Sequence, residues 1–336
     1  MATMKVAQVT KAGADFEIVE REIPTPGPGH VRIRVQACGV CHSDVLTKDG
    51  WPGLVYPRVP GHEVAGVIDE TGPGVTQWTN GQRVGVGWHG GHDGTCLACR
   101  RGDFVNCANG KVTGLSYDGG YAEYMIAAAD AVVRMPESLD PVEAAPLLCA
   151  GITTFNALRH SGARPSDLVA VQGVGGLGHL GIQFAQKFGY QVAAIGRGPE
   201  NAALAKKLGA SVYIDSVATN AAAELRKLGG ARVILATAPS AKAMSSLIDG
   251  LGTNGTMMVV GASNDPIEVT PVQLIFGNRT VRGWASGIPA DSEDALRFAA
   301  MTGVRPMIER YPLARAGDAY ARMLSGKAEF RVVLTM

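Results

Sequence analysis

The residues best suited to chemistry lie on one short segment, CGVCHSDVLTKDGWPGLVYPRVPGHE, which supplies a thiol, an imidazole and two carboxylates: Cys41, His62, Asp44 and Glu63. Thiolate sulfur and imidazole nitrogen are ligands that zinc takes in tetrahedral sites. A third ligand must come from elsewhere in the chain, and we expect Cys149, in the run PLLCAGIT, to supply it. Two thiolates and one imidazole leave the fourth position open, which distinguishes catalytic zinc from structural zinc.

A glycine-rich run, GVGGLG, follows a predicted strand and opens a predicted helix, and in that setting it indicates a dinucleotide-binding loop. Gly173 allows the tight turn, Gly175 lets the pyrophosphate approach the backbone, and Gly178 lets helix and strand pack closely. Helix N–H groups then hold the phosphates. We include Gly176 and Leu177 among the residues that hold the cofactor.

The next predicted strand runs into Gly196 and Arg197, where such folds usually carry Asp or Glu for the adenosine ribose 2′-hydroxyl. Here no acidic residue stands at that position, and the Arg197 guanidinium could pair with a 2′-phosphate. We therefore favour NADP as the cofactor. The alternative is NAD, with Arg197 stacked on the adenine.

The elements that must position these residues fall into two groups. Short stretches of alternating apolar and polar residues predict strands at 4–9, 16–20, 31–35, 62–71, 83–86 and 121–127. Because they precede any long helix, we expect an all-β, barrel-like first domain. Residues 143–158 have apolar side chains at helical spacing and predict a helix that contains Cys149.

From Leu168 onward, predicted strands alternate with predicted helices, which indicates βαβ units and a parallel sheet. The strands are 168–172, 191–195, 212–214, 233–236 and 257–260, and the helices follow the glycine-rich run to Phe188 and cover 201–208 and 221–228. After about Arg282 the pattern becomes irregular.

Four motifs of the chain can be compared with known families: Gly61-His62-Glu63-Val64-Ala65-Gly66 with Gly72 and Val75, Cys41-His42-Ser43-Asp44, Trp51-Pro52 and the loop at Gly173. In their residues and their order they resemble the zinc-dependent medium-chain alcohol dehydrogenases, and the resemblance runs from about Lys5 to the last residues. The resemblance implies an α/β protein with a chaperonin-10-like β-barrel catalytic domain and a Rossmann domain on a doubly wound parallel sheet. It also implies that the C-terminal segment returns to the first domain. We therefore expect a catalytic domain of residues 1–150 plus 286–336 and a dinucleotide-binding domain of residues 151–285.

The resemblance further implies roles around the zinc. Asp44 would accept a hydrogen bond from the ligating His62 and fix its tautomer, and Glu63 would lie behind the metal. Ser43 would relay the substrate proton, with its hydroxyl between the alcohol and the cofactor ribose. Many relatives carry a histidine three residues after this serine. Here the position is Leu46, so the final proton acceptor stays open.

Four other side chains match family positions. His42 and Arg331 would contact the cofactor pyrophosphate, and the arginine would do so by charge-assisted pairing. The alternatives are a surface histidine and a strand-edge charge. Trp51 and Trp88 would line the substrate cleft, and a pocket walled by indole favours small to medium apolar or aromatic alcohols and aldehydes.

The family's structural zinc lobe has four cysteines, and this chain matches their spacing with one change: Asp93, Cys96, Cys99 and Cys107. Three thiolates and the Asp93 carboxylate still make a closed tetrahedral site, so we expect an occupied structural zinc. The alternatives are that His92 substitutes for Asp93 with a shift of register, or that the lobe has lost its metal.

Composition limits the remaining functional classes. With 46% apolar and 18% charged residues among 336, the chain is globular and long enough for two domains. A net charge of +1 provides no footprint for nucleic acid or for a membrane surface. We find no apolar run that would span a bilayer and no signal-peptide pattern. Cysteines clustered near histidines favour metal over disulfides, and we expect a cytoplasmic protein.

These observations predict a zinc-dependent, NAD(P)-linked oxidoreductase that interconverts primary or secondary alcohols with aldehydes or ketones, with zinc as the Lewis acid. Its partners would be small molecules, and the resemblance implies a homodimer or homotetramer, with 257–282 as a sheet-extending interface. Two alternatives stay open. A zinc-free quinone or enone reductase would share the fold without the three ligands, and a noncatalytic nicotinamide-binding protein would not need them.

Overall fold

The computed structural model describes residues 2–336, which form two compact units. The first unit comprises the chain up to Ile152 together with Gly287–Met336, and the second comprises Thr153–Ser286. The strands, in chain order, are β1 (Thr3–Val9), β2 (Phe16–Glu22), β3 (His30–Val40), β4 (Val64–Thr71), β5 (Arg83–Val86), β6 (His89–Gly91), β7 (Lys111–Val112), β8 (Tyr124–Ala128), β9 (Val132–Arg134), β10 (Leu168–Gln172), β11 (Gln191–Gly196), β12 (Val212–Asp215), β13 (Ala231–Ala236), β14 (Leu251–Val259), β15 (Thr280–Gly283), β16 (Ile308–Pro312) and β17 (Arg331–Thr335). The α-helices are α1 (Val45–Lys48), α2 (Leu97–Arg100), α3 (Pro141–Ala144), α4 (Ala150–Arg159), α5 (Gly178–Lys187), α6 (Ala202–Lys207), α7 (Ala221–Lys227), α8 (Ala241–Leu247), α9 (Pro271–Ile275), α10 (Pro289–Thr302) and α11 (Ala316–Leu324).

The first unit is organised around strand β3, the centre of a seven-stranded sheet. The sheet runs β16-β17-β3-β4-β5-β9, and β8 also pairs with β3. Val31, Ile33 and Val35 alternate along β3 and are buried, as the sequence pattern predicts. The strand ends at Val40, and the chain passes through Cys41 into a 3-10 helix. The central strand thus carries the first predicted metal ligand to its end.

The second unit is built on a six-stranded parallel sheet in the order β12-β11-β10-β13-β14-β15. Because β10 comes first in the chain, this order is 3-2-1-4-5-6, the doubly wound arrangement of dinucleotide-binding folds. The apolar side chains of the inner strands, such as Val171, Val192 and Leu235, are at most 1% exposed. Such burial on both faces explains why these strands read as continuous apolar runs. The predicted alternation of strands and helices and the parallel sheet are confirmed.

The single helix predicted over 143–158 is wrong. The chain forms α3, then a 3-10 helix over Ala145–Leu148, and then α4, with Cys149 at the break between them (φ −130°, ψ −74°). Pro146 has no N–H to donate, which interrupts α-helical hydrogen bonding in this stretch. The break therefore gives Cys149 a backbone conformation that a continuous helix would not allow.

The irregular pattern expected after about Arg282 is also wrong. This region contains α10, which at 14 residues is the longest helix among residues 2–336, followed by β16, α11 and β17. Pro289 begins α10, and Gly303 ends it in the left-handed conformation (φ +77°). Proline at a helix start and glycine just past its end are the usual boundary signals, and they were present in the sequence.

A membrane-spanning helix would need both length and apolar character, and none of the helices in residues 2–336 has the two together.

Candidate metal centres and cofactor loop

Four potential metal ligands converge in the first unit. The sulfurs of Cys41 and Cys149, a ring nitrogen of His62 and a carboxylate oxygen of Glu63 all lie within 4.8 Å of one another. The two sulfurs are 3.8 Å apart. Two thiolates bound to one tetrahedral zinc, with Zn–S bonds of about 2.3 Å, would be separated by about 3.8 Å. The structure thus brings together the three side chains predicted to bind zinc, at a spacing that fits the ion.

The pairing of β3 with β4 explains how distant parts of the chain meet at this cluster. Cys38 lies opposite Val64 in the register of these antiparallel strands. Cys41 follows the end of β3, while His62 and Glu63 immediately precede β4, so these three residues emerge at the same end of the strand pair. The break before α4 then supplies Cys149.

Asp44 orients the histidine of this cluster. It is 2% exposed, and its Oδ1 lies 3.0 Å from Nδ1 of His62. Its Oδ2 accepts hydrogen bonds of 2.9 Å from the backbone N–H of Cys41 and of 2.9 Å from the hydroxyl of Tyr121. A carboxylate facing Nδ1 keeps the proton on that nitrogen and leaves Nε2 as the electron-pair donor. Among residues 2–336 the buried Nε2 has no hydrogen-bond partner, which fits a nitrogen that binds a metal.

The electrostatics of the cluster favour a charged thiolate. The sulfurs of Cys41 and Cys149 share a hydrogen bond, which lowers the pKa of Cys41 well below its usual value and raises that of Cys149. Burial lowers the pKa of His62, but the neighbouring Asp44 and Cys41 charges outweigh this effect and raise it well above its usual value. A thiolate is the form of cysteine that binds zinc, so the environment stabilises the required ionic state at Cys41, whereas Cys149 and His62 would each release a proton when the ion binds.

Glu63 forms a buried ion pair with Arg331, at the start of β17. The two side chains are 0% and 6% exposed. Burial raises the pKa of Glu63 to about 7, although the charge of Arg331 opposes this rise. The alternative that Arg331 is a strand-edge charge is wrong, because β17 lies between β16 and β3 and the side chain is buried. The proposed contact of Arg331 with pyrophosphate stays a prediction.

The remaining residues predicted for this site differ in exposure. His42 is exposed and Ser43 is partly buried, both in the 3-10 helix that follows Cys41. The indole of Trp88 meets the His62 ring edge-on, with centroids 4.9 Å apart and planes at 90°. Trp51 is 51% exposed. The structure therefore brings Trp88 to the metal cluster and leaves Trp51 largely in solvent.

A second cluster in the first unit consists of Asp93, Cys96, Cys99 and Cys107, whose ligand atoms also lie within 4.8 Å of one another. The sulfurs of Cys96 and Cys107 are 3.9 Å apart. The set of three thiols and one carboxylate, with this spacing, fits a closed tetrahedral zinc site.

Asp93, rather than His92, faces the cysteines of this second cluster. Its carboxylate accepts hydrogen bonds from the backbone N–H of Cys96 (2.9 Å), the side-chain amide of Asn109 (2.6 Å) and the N–H of Thr95 (2.8 Å), and these lower its pKa. The ring of His92 instead lies against Phe104, with centroids 4.3 Å apart. The alternative in which His92 replaces Asp93 by a shift of register therefore has no support in the structure.

The glycine-rich loop of the second unit joins β10 to α5. Gly173 has a left-handed conformation (φ +97°), and a Cβ added at Gly178 would lie 1.8 Å from the Gly173 carbonyl oxygen, so only glycine fits there. A Cβ added at Gly175 would meet nothing within 4 Å. The loop therefore combines tight packing at one glycine with open space at another, as a backbone that receives a pyrophosphate requires.

An acidic residue lies closer to the predicted 2′ position than the sequence suggested. Gly196 ends β11 and the exposed Arg197 follows it, while Asp215 of β12 pairs in register with Gly196. Asp215 Oδ1 accepts hydrogen bonds of 2.9 Å from the N–H groups of Val217 and of Gly198, and these donors lower its pKa. No acidic residue stands at Gly196 or Arg197 themselves, but Asp215 on the neighbouring strand places a carboxylate beside them, and two backbone N–H groups engage it.

Sequence reasoning missed Tyr121, Asn109 and Asp215. Tyr121 is 77 positions from the aspartate it contacts, and Asn109 is 16 positions from Asp93. The types of these residues are ordinary for loops and buried strands, and no local motif marks them. A strand-pairing prediction that placed β12 beside β11 could have found Asp215.

Two family models match the chain. Residues 27–137 match the alcohol dehydrogenase GroES-like domain, and residues 176–301 match the zinc-binding dehydrogenase model. Together these matches confirm the expected α/β fold with a GroES-like domain and a Rossmann-like domain.

Similar proteins cover nearly the whole chain. Alcohol dehydrogenase notN of Aspergillus sp. (strain MF297-2) is 43% identical over 334 residues, which is 99% of this chain and 98% of that protein. The cobalt- and zinc-bound thermostable alcohol dehydrogenase of Pyrobaculum aerophilum has a TM-score of 0.89 and 28% identity, and the alignment covers 100% of both chains. CAD from Helicobacter pylori, complexed with NADP(H), has a TM-score of 0.86 and 26% identity over 100% of this chain and 98% of that one. The chain is therefore an oxidoreductase that uses zinc and a nicotinamide cofactor, and it belongs to the zinc-dependent medium-chain alcohol dehydrogenase family.

Proposed function

We propose that this protein transfers hydride reversibly between a primary or secondary alcohol and NAD(P), with the aldehyde or ketone as the other product, at the cluster of Cys41, His62 and Cys149. The observation that carries this assignment is the 3.8 Å separation of the two sulfurs beside a buried imidazole nitrogen that has no hydrogen-bond partner in the described part of the chain. Arg331 engages Oε1 of Glu63, whereas Oε2 has no hydrogen-bond partner among residues 2–336, so Glu63 would hold the fourth position of a tetrahedral ion until the substrate oxygen takes it.

The protein's own residues prepare this position. Zinc, when bound, supplies a Lewis acid that polarises the alcohol or carbonyl oxygen. Cys41, Cys149 and Nε2 of His62 would hold the ion, and Asp44 would keep the proton on Nδ1 of His62 so that the imidazole remains a neutral ligand. The low pKa of Cys41 supports this assignment because a thiolate needs no further deprotonation to bind.

Ser43 is proposed to move the substrate proton. It lies two residues after the ligand Cys41, in the same turn, and its hydroxyl can accept one proton while donating another. The next side chain along the family's relay is replaced by Leu46, which can neither accept nor donate a proton. Water or another base would therefore complete the transfer.

For the cofactor, we propose that the loop from Gly173 to Gly178 holds the pyrophosphate, assisted by His42 and Arg331. NADP is the favoured form, with the Arg197 guanidinium on the 2′-phosphate. The NADP(H) complex of the Helicobacter pylori relative supports this preference, and the absence of an acid at positions 196 and 197 agrees with it. The Asp215 carboxylate would repel a 2′-phosphate, but two backbone N–H groups donate hydrogen bonds to it and so weaken this repulsion.

We further propose that Trp88 and Trp51 form the wall of a substrate cleft for small to medium apolar or aromatic alcohols and aldehydes. The edge-on contact of Trp88 with His62 supports this for the first of the two. A structural zinc at Asp93, Cys96, Cys99 and Cys107 is proposed as a second ion per chain. Such thiol clusters suit a reducing compartment, and we propose a cytoplasmic enzyme.

A homodimer or homotetramer that assembles by sheet extension is also proposed. Strand β15 is the last strand in the order of the parallel sheet. The neighbouring α9 and the residue after it expose Val272, Ile275 and Phe276 by 58%, 70% and 72%. Exposed apolar side chains near an unpaired strand edge favour association with a second copy.

The test is an oxidoreductase assay joined to metal analysis. Purified protein loaded with zinc should reduce NADP or NAD when a panel of alcohols is supplied, and Cys149→Ala should lose this activity together with one zinc per chain. The matched control is Cys38→Ala, which alters a buried thiol outside the cluster and should keep both. A wild-type protein that retains carbonyl reduction after all its zinc has been removed would refute the assignment.

A further inference from the structure

A buried tyrosine stands behind the catalytic cluster and is not one of its ligands. Tyr121 precedes β8, is 0% exposed and is among the bulkiest fully buried side chains. Its hydroxyl donates a 2.9 Å hydrogen bond to Oδ2 of Asp44. Burial, followed by the Asp44 charge, raises the pKa of Tyr121 well above its usual value, so the hydroxyl keeps its proton and remains a donor.

The hydrogen bond from Tyr121 restricts the carboxylate that faces Nδ1 of His62. The Oδ2 atom of Asp44 accepts both this bond and the N–H of Cys41, while Oδ1 faces Nδ1 of His62 at 3.0 Å. With two donors anchoring one oxygen, the carboxylate cannot rotate without breaking a buried hydrogen bond. The direction of the imidazole, and therefore of Nε2, depends on this anchoring.

Tyr121 also packs against the segment that precedes His62. A Cβ added at Gly61 would lie 2.5 Å from Cδ1 of Tyr121, so the ring is in tight contact with the residue preceding His62. The backbone N–H of Tyr121 donates to the carbonyl of Pro60 at 3.0 Å, and that of Gly120 donates to the carbonyl of Gly61 at 3.0 Å. Tyr121 is therefore linked to His62 in two ways: through the side chain of Asp44, and through backbone hydrogen bonds to the residues that precede His62.

We infer that Tyr121 is a positioning residue for the catalytic metal: through Asp44 it fixes the direction of His62 Nε2, and it thereby sets the affinity and geometry with which the first cluster holds its ion. The inference rests on the zinc site proposed above and assigns a role to a residue outside it. Groups that orient a ligating histidine typically change metal affinity by about 10–100-fold when removed. Tyr121 acts one step further out, so we expect an effect near the lower limit, about 10-fold.

The experiment compares Tyr121→Phe with Tyr117→Phe in the full chain. Tyr117 is a partly buried tyrosine of the first unit, and its hydroxyl contacts Thr113 Oγ1 (3.0 Å) and the Gly90 carbonyl (3.1 Å) instead of Asp44. Zinc affinity is measured by competition with a chromogenic chelator. The Cys149→Ala variant lacks a ligand of the first cluster, so the zinc that it still binds belongs to the second cluster. The visible bands of Co²⁺ substituted for zinc report the ligand geometry, which loss of stability alone would not shift.

We expect Tyr121→Phe to weaken binding at the catalytic cluster about 10-fold and to shift the Co²⁺ bands, with Tyr117→Phe like the wild type. In an Asp44→Asn background, Tyr121→Phe should add no further loss, because the two residues act in series. Equal zinc affinities in the two tyrosine variants, or additive losses in the double variant, would overturn the inference. So would a Tyr121→Phe protein that unfolds when metal-free while Tyr117→Phe stays folded. A wild type with no zinc at the cluster would instead refute the proposed function itself.

Discussion

Replacing Arg331 with methionine should destabilise the first unit far more than removing an arginine from an exposed ion pair. Glu63 and Arg331 are 0% and 6% exposed, so the variant leaves a carboxyl group buried without its counter-ion. Removing one partner of a buried pair costs about 3–5 kcal/mol. Because burial already raises the pKa of Glu63 to about 7, the carboxyl can take up a proton, and we expect the lower limit, about 3 kcal/mol. For a unit of this size, that corresponds to a fall in Tm of about 6–12 °C.

The matched control is Arg322→Met. Arg322 binds Glu309 through two hydrogen bonds of 2.8 and 2.9 Å in the same unit, but the two side chains are 35% and 24% exposed. Ion pairs that solvent reaches contribute about 0.2–1 kcal/mol. We therefore expect this variant to lower Tm by about 4 °C at most.

Thermal and urea unfolding of the zinc-loaded proteins, followed by tryptophan fluorescence and with zinc counted before each run, would measure both losses. The double variant Glu63→Gln, Arg331→Met removes both charges and should be more stable than Arg331→Met alone. Equal losses for Arg331→Met and Arg322→Met would refute the reasoning, because they would show that burial of the pair has no energetic consequence.

Four other predictions follow from single contacts. Gly178→Ala should abolish binding of both cofactors, measured by fluorescence titration, because the new Cβ would lie 1.8 Å from the Gly173 carbonyl oxygen; unchanged affinity would contradict the assignment of the loop. Arg197→Ala should raise the KM for NADP at least about tenfold and leave that for NAD nearly unchanged, and equal shifts would exclude a role at the 2′ position. Asp93→Ala should reduce the zinc content from two ions per chain to one, whereas a wild type with one zinc would show that the second cluster is empty. Phe276→Asp should shift the oligomer toward monomer in light scattering, and an unchanged mass would remove the proposed interface.

Much of the fold could be predicted because local sequence and final environment agree. The apolar run of β10 and the glycines after it specify a buried strand and the turn that follows, and the alternation in β3 matches its buried and exposed faces. The missed helix α10 shows the opposite case. Only four of its residues are buried, Ser292, Ala295, Leu296 and Ala299, and two of them are alanines, so its apolar stripe is too weak to indicate a helix by periodicity.

The candidate site contains two kinds of residue. Some can be assigned a role from their residue type and spacing, and others have a role only through contacts that the fold creates. Cysteine and histidine at metal-binding spacing can be recognised in the sequence, and the structure brings them together. Tyr121 and Arg331 cannot be recognised in this way, because their contacts with Asp44 and Glu63 span 77 and 268 positions. The two classes should also differ in experiment. Replacing a ligand such as Cys149 should remove the metal but leave the metal-free variant as stable to unfolding as the metal-free wild type. Replacing Arg331 should instead lower the free energy of unfolding even in protein that retains its zinc. The buried groups behind the ligands thus determine how firmly the ligand geometry is held.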